Sequence, residues 1–320
     1  MIKCQCPRIP IAFLPALLAL LEILGRPPIA HTRDRLPLQK KNVEIGQPAP
    51  VSPEFEGYDK DGKPIYWDPK PRVAPLGGGK YAFKWFGHSG RQLTLIYERP
   101  DAVDAVVAAS ALPLPGGSFR YEYRVRNLES SDLDLGGFMV RILSRGAEAL
   151  TDSSTTAVNP WRLLKQDFPD GAWVSFHPVR EKGLILPGEW AHYALVSPDL
   201  PGLADCRAFA GNLTMQGVGE EPPTVLENLY LRNDAWPHGW TIGPDERLAK
   251  MSLRERLDYL VEKLPKMLEL GWIDNEKVMG WYEMNLKAGK TAEVRARADA
   301  DFKRKLITSE VLALMTYLTR

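Results

Sequence analysis

The stretch SFRYEYRVRN, residues 118–127, alternates apolar and charged side chains with a period of two. Phe119, Tyr121, Tyr123 and Val125 fall on one face, and the arginines and the glutamate between them fall on the other. Because successive side chains of a β-strand point to opposite faces, this pattern predicts a strand with one buried face. Half-buried strands of this kind are typical of antiparallel sheets.

Similar short segments occur on both sides of this strand. Further strands are predicted at 81–86, 92–97, 138–143, 172–176, 183–186, 190–196 and 226–231. Turn-rich pieces such as PLPGG at 113–117 separate them, and no intervening segment has the length and period of a helical crossover. We therefore expect an antiparallel β-sandwich over residues 76–235.

A helical period replaces the alternation after residue 250. Leucines recur at positions 253, 257, 260, 264 and 268, which share one face of a helix. Ser252 followed by Glu255 predicts a capping box at its start, and Gly271 predicts its end. Pro265 lies inside the pattern, so a kink or a division of the helix is expected there. Shorter helices are predicted at 275–288, 291–303 and 309–318, giving a helical module over residues 251–320.

The first 30 residues predict export from the cytoplasm. Lys3 and Arg8 precede an apolar run at 9–24, and Ala30 is the small residue that follows. The run is shorter than the roughly 20 residues of a membrane span and contains prolines and a glutamate, so cleavage is favoured over retention. The protein is therefore expected to be secreted or at the cell surface, with membrane contact only if this signal segment is retained as an anchor.

Two further segments are rich in proline and glycine. Residues 31–75 predict a tether with one structured part, YDKDGKPIYW, in which Asp61 and Gly62 suit the turn of a short β-hairpin. Residues 236–250 are interpreted as an ordered linker between the sandwich and the helices.

Composition argues against nucleic acid as a partner. The chain has 41 Lys+Arg against 40 Asp+Glu and a formal net charge of +1, so no overall field attracts a polyanion.

Of its three cysteines, Cys4 and Cys6 lie in the predicted signal, and Cys206 is expected to be a buried small residue rather than a nucleophile.

The C-terminal region resembles a known family. The similar residues are the leucine ladder from Leu253, GWID at 271–274, LKAGKTAEVRA at 286–296 and KLITSEVLALMTYL at 305–318. They resemble the FIMAH domain, a small helical module near the C-termini of many secreted bacterial proteins. The resemblance implies an accessory role and no activity. The strand at 118–127 is similar in style to immunoglobulin-like modules, so the expected fold is an antiparallel, immunoglobulin-like β-sandwich followed by a small all-α helical bundle.

No residue pattern in the sequence defines a catalytic centre. The five histidines match no metal-ligand spacing, and GHSG at 87–90 differs from the serine-hydrolase motif in its spacing. Neither a metal nor a cofactor is therefore expected. An extracellular hydrolase with a site assembled from several loops stays open as an alternative, with His177 and His192 as its candidate histidines.

Nine tryptophans are the compositional feature that points to a ligand. Trp236 and Trp240 flank His238 in a Pro/Gly-rich segment, and these three are the candidate ligand-binding residues, because exposed indoles stack on sugar rings. Packing of the two indoles between the sandwich and the first helix is the alternative. The leading hypothesis is a noncatalytic secreted or cell-surface protein that contacts a polysaccharide or a surface protein. A carbohydrate-binding module is the second hypothesis.

Overall fold

The computed structural model describes residues 37–39, 54–58, 60–67, 72–87, 91–144, 148–149, 161–168, 171–178, 184–210 and 236–320. The predicted signal at 1–30 and the predicted strand at 226–231 lie outside these described residues. The described chain forms antiparallel β-sheets followed by a C-terminal helical region, as the sequence predicts. Within it, no helix is both long and apolar enough to cross a membrane.

Fourteen strands and five helices occur in the described residues. The strands are β1 (Glu54–Tyr58), β2 (Pro64–Trp67), β3 (Arg72–Gly77), β4 (Lys80–Phe86), β5 (Gln92–Glu98), β6 (Ala105–Pro113), β7 (Phe119–Asn127), β8 (Leu135–Ile142), β9 (Glu148–Ala149), β10 (Trp161–Phe168), β11 (Gly171–Pro178), β12 (Trp190–Ser197), β13 (Leu200–Ala210) and β14 (His238–Asp245). The helices are α1 (Glu246–Lys250), α2 (Leu253–Glu269), α3 (Glu276–Lys287), α4 (Thr291–Lys303) and α5 (Ser309–Leu318). The bounds of α3, α4 and α5 agree with the predicted ones to within one residue.

Most strands belong to two antiparallel sheets. The five-stranded sheet has the order β10-β11-β8-β13-β14, and the four-stranded sheet has the order β6-β7-β12-β9. Strands β3, β4 and β5 form a separate sheet, and β1 pairs with β2. The β1–β2 hairpin confirms the predicted turn: Gly62 has a φ of 74°, which glycine adopts without steric strain.

Strand β7 has the burial pattern that its sequence predicts. Tyr121, Tyr123 and Val125 are completely buried, whereas the alternate residues Arg120, Glu122, Arg124 and Arg126 are partly exposed. The buried face contacts the five-stranded sheet through aromatic rings. The ring centroid of Phe138 in β8 lies 5.5 Å from that of Tyr123 and 5.9 Å from that of Tyr193 in β12. Aromatic side chains of both sheets therefore contact one another in the core.

The alternation of the sequence does not reveal β6 and β14. Strand β6 is buried along seven of its nine residues, on both faces, so it has no alternation to detect. Strand β14 lies in the segment 236–250 that was interpreted as a linker. Its eight residues instead pair with β13 from Asp245 opposite Leu200 to His238 opposite Arg207, and α1 follows. Prolines and glycines concealed this strand because they are uncommon inside strands.

Two other expectations concern the segment at 183–186 and the proline of the first long helix. The segment at 183–186 was predicted as a strand, but in its described part Ile185 forms only a single bridge, with Leu135. Pro265 was expected to kink or divide the first long helix, but α2 is not divided there. Burial of one face of α2 offsets the roughly 3 kcal/mol that an internal proline costs.

The helices and the two sheets share one hydrophobic core. The cluster of contacting buried residues extends from both sheets into α2, α3, α4 and α5. Helix α5 joins them, because it packs on β6 and β13 and its side chains are buried almost all round. Phe119 of β7 and Tyr317 of α5 meet edge to face, with ring centroids 4.9 Å apart. The helices and the sheets thus pack directly against each other.

A buried carboxylate of α5 binds the edge strand β6. Glu310 is fully buried, and its Oε1 accepts a hydrogen bond of 2.6 Å from the backbone N–H of Ala109. Because β6 lies at the edge of its sheet, no strand of the described residues pairs with it on this side. The Glu310 side chain takes the place of that strand and satisfies a buried donor.

Glu310→Ala is expected to lower the free energy of unfolding by about 3 kcal/mol, because it leaves the Ala109 N–H buried without an acceptor and opens a cavity. Glu310→Gln keeps an oxygen acceptor and should lose less than half as much. Urea denaturation of both variants beside the unchanged protein measures the difference. Equal losses in the two variants would show that the hydrogen bond to Ala109 is not the cause.

A short N-terminal segment lies between β6 and β14. The Leu38 N–H donates a hydrogen bond of 2.7 Å to the carbonyl of Ala105, and Gln39 and His238 exchange two backbone hydrogen bonds. Leu38 is buried directly over Gly239, where a Cβ would lie 2.5 Å from the leucine side chain. This segment connects the edges of the two sheets and forms one wall of the cleft described next.

Candidate functional site

A cleft of about 270 Å³ lies where β6 and β14 meet the end of α2. We call it the Trp240 cleft, and its polar and aromatic lining consists of His238, Trp240, Glu269, Trp272 and Gln39, with Leu38 among the apolar residues. Strand β14 positions His238 and Trp240, Glu269 is the last residue of α2, and the turn that follows positions Trp272. The structure therefore brings two of the three sequence candidates into one cleft.

Trp240 separates this cleft from a second one of about 220 Å³. Its indole is partly exposed and packs against the hydrophobic core. The Nζ of Lys266 lies 5.6 Å from the ring centroid, within the range of a cation–π interaction, and also donates a hydrogen bond of 2.7 Å to Glu269. The indole thus packs the sheet against α2 and contributes surface to both clefts.

The second cleft is lined by ion pairs. Arg141 lies 3.1 Å from Asp205, and Arg247 lies 2.7 Å from Asp245. Burial raises the pKa of Tyr259 to about 12, and its hydroxyl accepts a hydrogen bond from a backbone N–H of β13. At neutral pH this hydroxyl is protonated and cannot serve as a base. The charges of this cleft are engaged in structural pairs.

Trp236 does not line either cleft. Its ring centroid lies 4.6 Å from that of Phe209 in β13, in a tilted stack. Phe209 in turn covers Gly137 of β8, where a Cβ would lie 2.0 Å from a ring atom. Trp236 and Trp240 therefore have different neighbours, one in an aromatic stack on β13 and the other beside Lys266.

The two histidines considered for a hydrolase lie in different sheets. His177 belongs to β11 of the five-stranded sheet, and its side chain lies outside the described residues. His192 belongs to β12 of the four-stranded sheet, and its ring centroid lies 4.3 Å from that of Trp190. Among the residues that the structure describes, no three His, Cys, Asp or Glu side chains come together as metal ligands would.

The pKa shifts of Cys206, Tyr123 and Tyr193 arise from burial in the core. Burial raises the pKa of the Cys206 thiol well above its usual range, and it does the same for both phenols. A raised thiol pKa keeps the sulfur protonated at neutral pH, so it is a poor nucleophile. The structure therefore confirms Cys206 as the buried small residue that the sequence predicts.

Sequence reasoning missed an exposed tryptophan on the four-stranded sheet. Trp190 at the start of β12 is 47% exposed, and the guanidinium carbon of Arg124 in β7 lies 4.0 Å from its ring centroid. The alternation in WAHYALVS contained the signal. Tyr193 and Leu195 fall on the buried face, and Trp190 and His192 fall on the opposite one.

Comparisons with known proteins place the chain in no family. No family model matches the sequence, and no curated protein matches it. In structure, the chain is similar to an uncharacterized protein from Nocardia farcinica with an immunoglobulin-like fold, at 13% identity and a TM-score of 0.24, over 41% of this chain and 95% of that chain. It is also similar to a variant of BcpA, the major pilin subunit of Bacillus cereus, at 10% identity and a TM-score of 0.23, over 61% of this chain and 64% of that chain.

Proposed function

We propose that the protein is a noncatalytic secreted or cell-surface protein that binds a carbohydrate in the Trp240 cleft. In this proposal the two larger sheets form an immunoglobulin-like β-sandwich, and the ring contacts of Phe138 with Tyr123 and Tyr193 support it. The helices close one side of the sandwich. Export is part of the proposal and is supported by the order of charge, apolar run and small residue at 1–30.

The composition of the Trp240 cleft carries the binding function. The partly exposed Trp240 supplies apolar ring surface above the buried Trp272, and His238 and Glu269 supply polar groups. Its volume of about 270 Å³ is close to the lower end of small-ligand sites, roughly 300 Å³. A sugar ring presents C–H groups that pack on an indole and hydroxyl groups that bond to polar side chains. One or two sugar rings are the ligand that this cleft fits.

Trp240 is the residue on which this binding depends most directly. Trp240→Ala is expected to weaken binding of a neutral oligosaccharide at least tenfold, because removal of the indole leaves the ring of the ligand without its packing surface. Trp240→Phe keeps an aromatic face and should retain part of the affinity. Isothermal titration calorimetry with a panel of cello-, xylo- and chito-oligosaccharides measures the effect.

Trp281→Ala provides the matched control for this experiment. Trp281 lies on α3 beside Tyr282 and Arg297 and does not line the cleft, so its removal should leave binding unchanged. The proposal fails if the unchanged protein binds no member of the panel. It also fails if Trp240→Ala and Trp281→Ala weaken binding equally.

A further inference from the structure

One face of the four-stranded sheet carries a row of arginines. Alternate residues of β7 place Arg120, Arg124 and Arg126 on the face opposite the buried tyrosines. In the antiparallel register of β12, His192 lies opposite Arg124 and Trp190 lies opposite Arg126. Cross-strand partners share a face of the sheet, so cationic and aromatic side chains meet there. We call the surface of Arg124, Arg126, Trp190 and His192 the Arg124 face.

Among the described residues, two arginines of this strand have a glutamate within ion-pair distance. Glu122 lies 3.1 Å from Arg120, and Glu129 lies 3.7 Å from Arg126. The Glu129 side chain is 83% exposed, so solvent screens its charge. Within the described part of the chain, the Nε atoms of Arg124 and Arg126 are shielded from solvent and have no hydrogen-bond acceptor.

The side-by-side arrangement of Arg124 and Arg126 is energetically unfavourable while no ligand is bound. The pKa of Arg124 is lowered, first by partial burial and then by the neighbouring charge of Arg126. Like charges side by side on a sheet repel, and a shielded N–H group without an acceptor loses its hydration. An anionic ligand lowers the repulsion between the two guanidinium groups, because a guanidinium binds a carboxylate through two parallel hydrogen bonds. The two arginines therefore favour a ligand that carries carboxylates.

The indole of Trp190 offers a surface on which a ring of a ligand can pack, next to the guanidinium groups of Arg124 and Arg126. Arg124 lies 4.0 Å from its ring centroid and His192 lies 4.3 Å away in an edge arrangement, and these contacts fix the indole while 47% of the residue is exposed. A ligand that alternates rings with carboxylates matches both features. We propose that the Arg124 face binds an acidic polysaccharide, with carboxylates on Arg124 and Arg126 and a sugar ring on Trp190.

This site is independent of the Trp240 cleft, since the two have no residue in common. Nucleic acid offers charge and rings as well, but a duplex carries a charge about every 1.7 Å and binds to a broadly basic surface, which a formal net charge of +1 does not supply. A polyuronate presents C–H faces that pack on an indole, together with carboxylates that a guanidinium binds through paired hydrogen bonds. These properties favour the polysaccharide.

The test uses polygalacturonate as the anionic probe and dextran as the neutral one. The unchanged protein is expected to bind polygalacturonate with an affinity that falls as salt rises, and to ignore dextran. The double variant Arg124→Gln, Arg126→Gln should lose at least tenfold in affinity, and Trp190→Ala at least fivefold. Fluorescence anisotropy of labelled polygalacturonate measures each value, and circular dichroism establishes that the variants are folded.

A control variant removes two positive charges elsewhere. Arg254 and Arg304 are exposed on the helical region, so Arg254→Gln, Arg304→Gln should leave the affinity for polygalacturonate unchanged. Equal losses in the two double variants would overturn the proposal, and so would stronger binding of single-stranded DNA than of polygalacturonate. Trp240→Ala separates the two sites, because it should leave polygalacturonate binding intact even if the cleft binds no oligosaccharide.

Discussion

A chain truncated after Asp245 is expected to lose its cooperative fold, although it keeps all fourteen strands. The truncation uncovers the surface of β6 and β13 on which α5 packs, and it removes Glu310 and Tyr317, which contact Ala109 and Phe119. Each large apolar side chain that loses its burial costs about 1.5–3 kcal/mol. Several such losses exceed the roughly 5–15 kcal/mol that stabilises an ordinary domain. Urea unfolding of chains 31–245 and 31–320, followed by near-ultraviolet circular dichroism, measures the effect.

The opposite result would follow from a separable helical module. In that case the shorter chain would keep its near-ultraviolet spectrum and a single steep unfolding transition. Such a result would contradict the shared core. A chain truncated after Thr319 serves as the control, because it loses only the exposed Arg320 and keeps α5 and the buried Thr319 in place.

Phe138→Ala is expected to lower the free energy of unfolding by about 3–5 kcal/mol, a large fraction of the total stability. Phe138 is fully buried, and the ring centroids of Tyr123, Phe176 and Tyr193 lie 5.5–5.9 Å from its own. Removing this ring leaves a cavity that three rigid neighbours cannot fill. Chemical denaturation gives the value, and Phe138→Leu should lose less than half as much.

Phe302→Ala is the matched control for this substitution. Phe302 lies on α4 and is only partly buried, so its truncation should cost about 1 kcal/mol. If the two substitutions had equal effects, the aromatic cluster between the sheets would not be the centre of the core.

The sequence predicts the helices more closely than the sheets, because helix signals are local. Ser252 and Glu255 form the predicted capping box within four residues of each other. The environment of strand β6, in contrast, includes a hydrogen bond between Ala109 and Glu310, which are 201 residues apart. The apolar sequence of α5 indicates a helix buried on all sides, yet it does not indicate that a sheet supplies one of those sides. The resemblance to the FIMAH domain stays a prediction.

The sequence predicts only part of the candidate site, because only some of its residues lie close together in the sequence. His238 and Trp240 stand two residues apart on β14 and reach the same cleft. Glu269 and Trp272 complete it from the end of α2, and no local pattern connects them with β14. Trp236 was grouped with Trp240 by proximity in the sequence, but its contact with Phe209 depends on a neighbouring strand.

The hydrogen bonds that Leu38 and Glu310 make to β6 also bear on how copies of the protein associate. An unpaired strand edge offers backbone groups to a second chain and promotes aggregation by strand addition. Here the Ala105 carbonyl of β6 accepts a hydrogen bond from Leu38, and the Ala109 N–H donates one to Glu310. On β14, the backbone of His238 is hydrogen-bonded to Gln39. A second copy could extend either sheet at these positions only by displacing groups of the same chain. This side of the protein is therefore protected against edge-to-edge polymerisation.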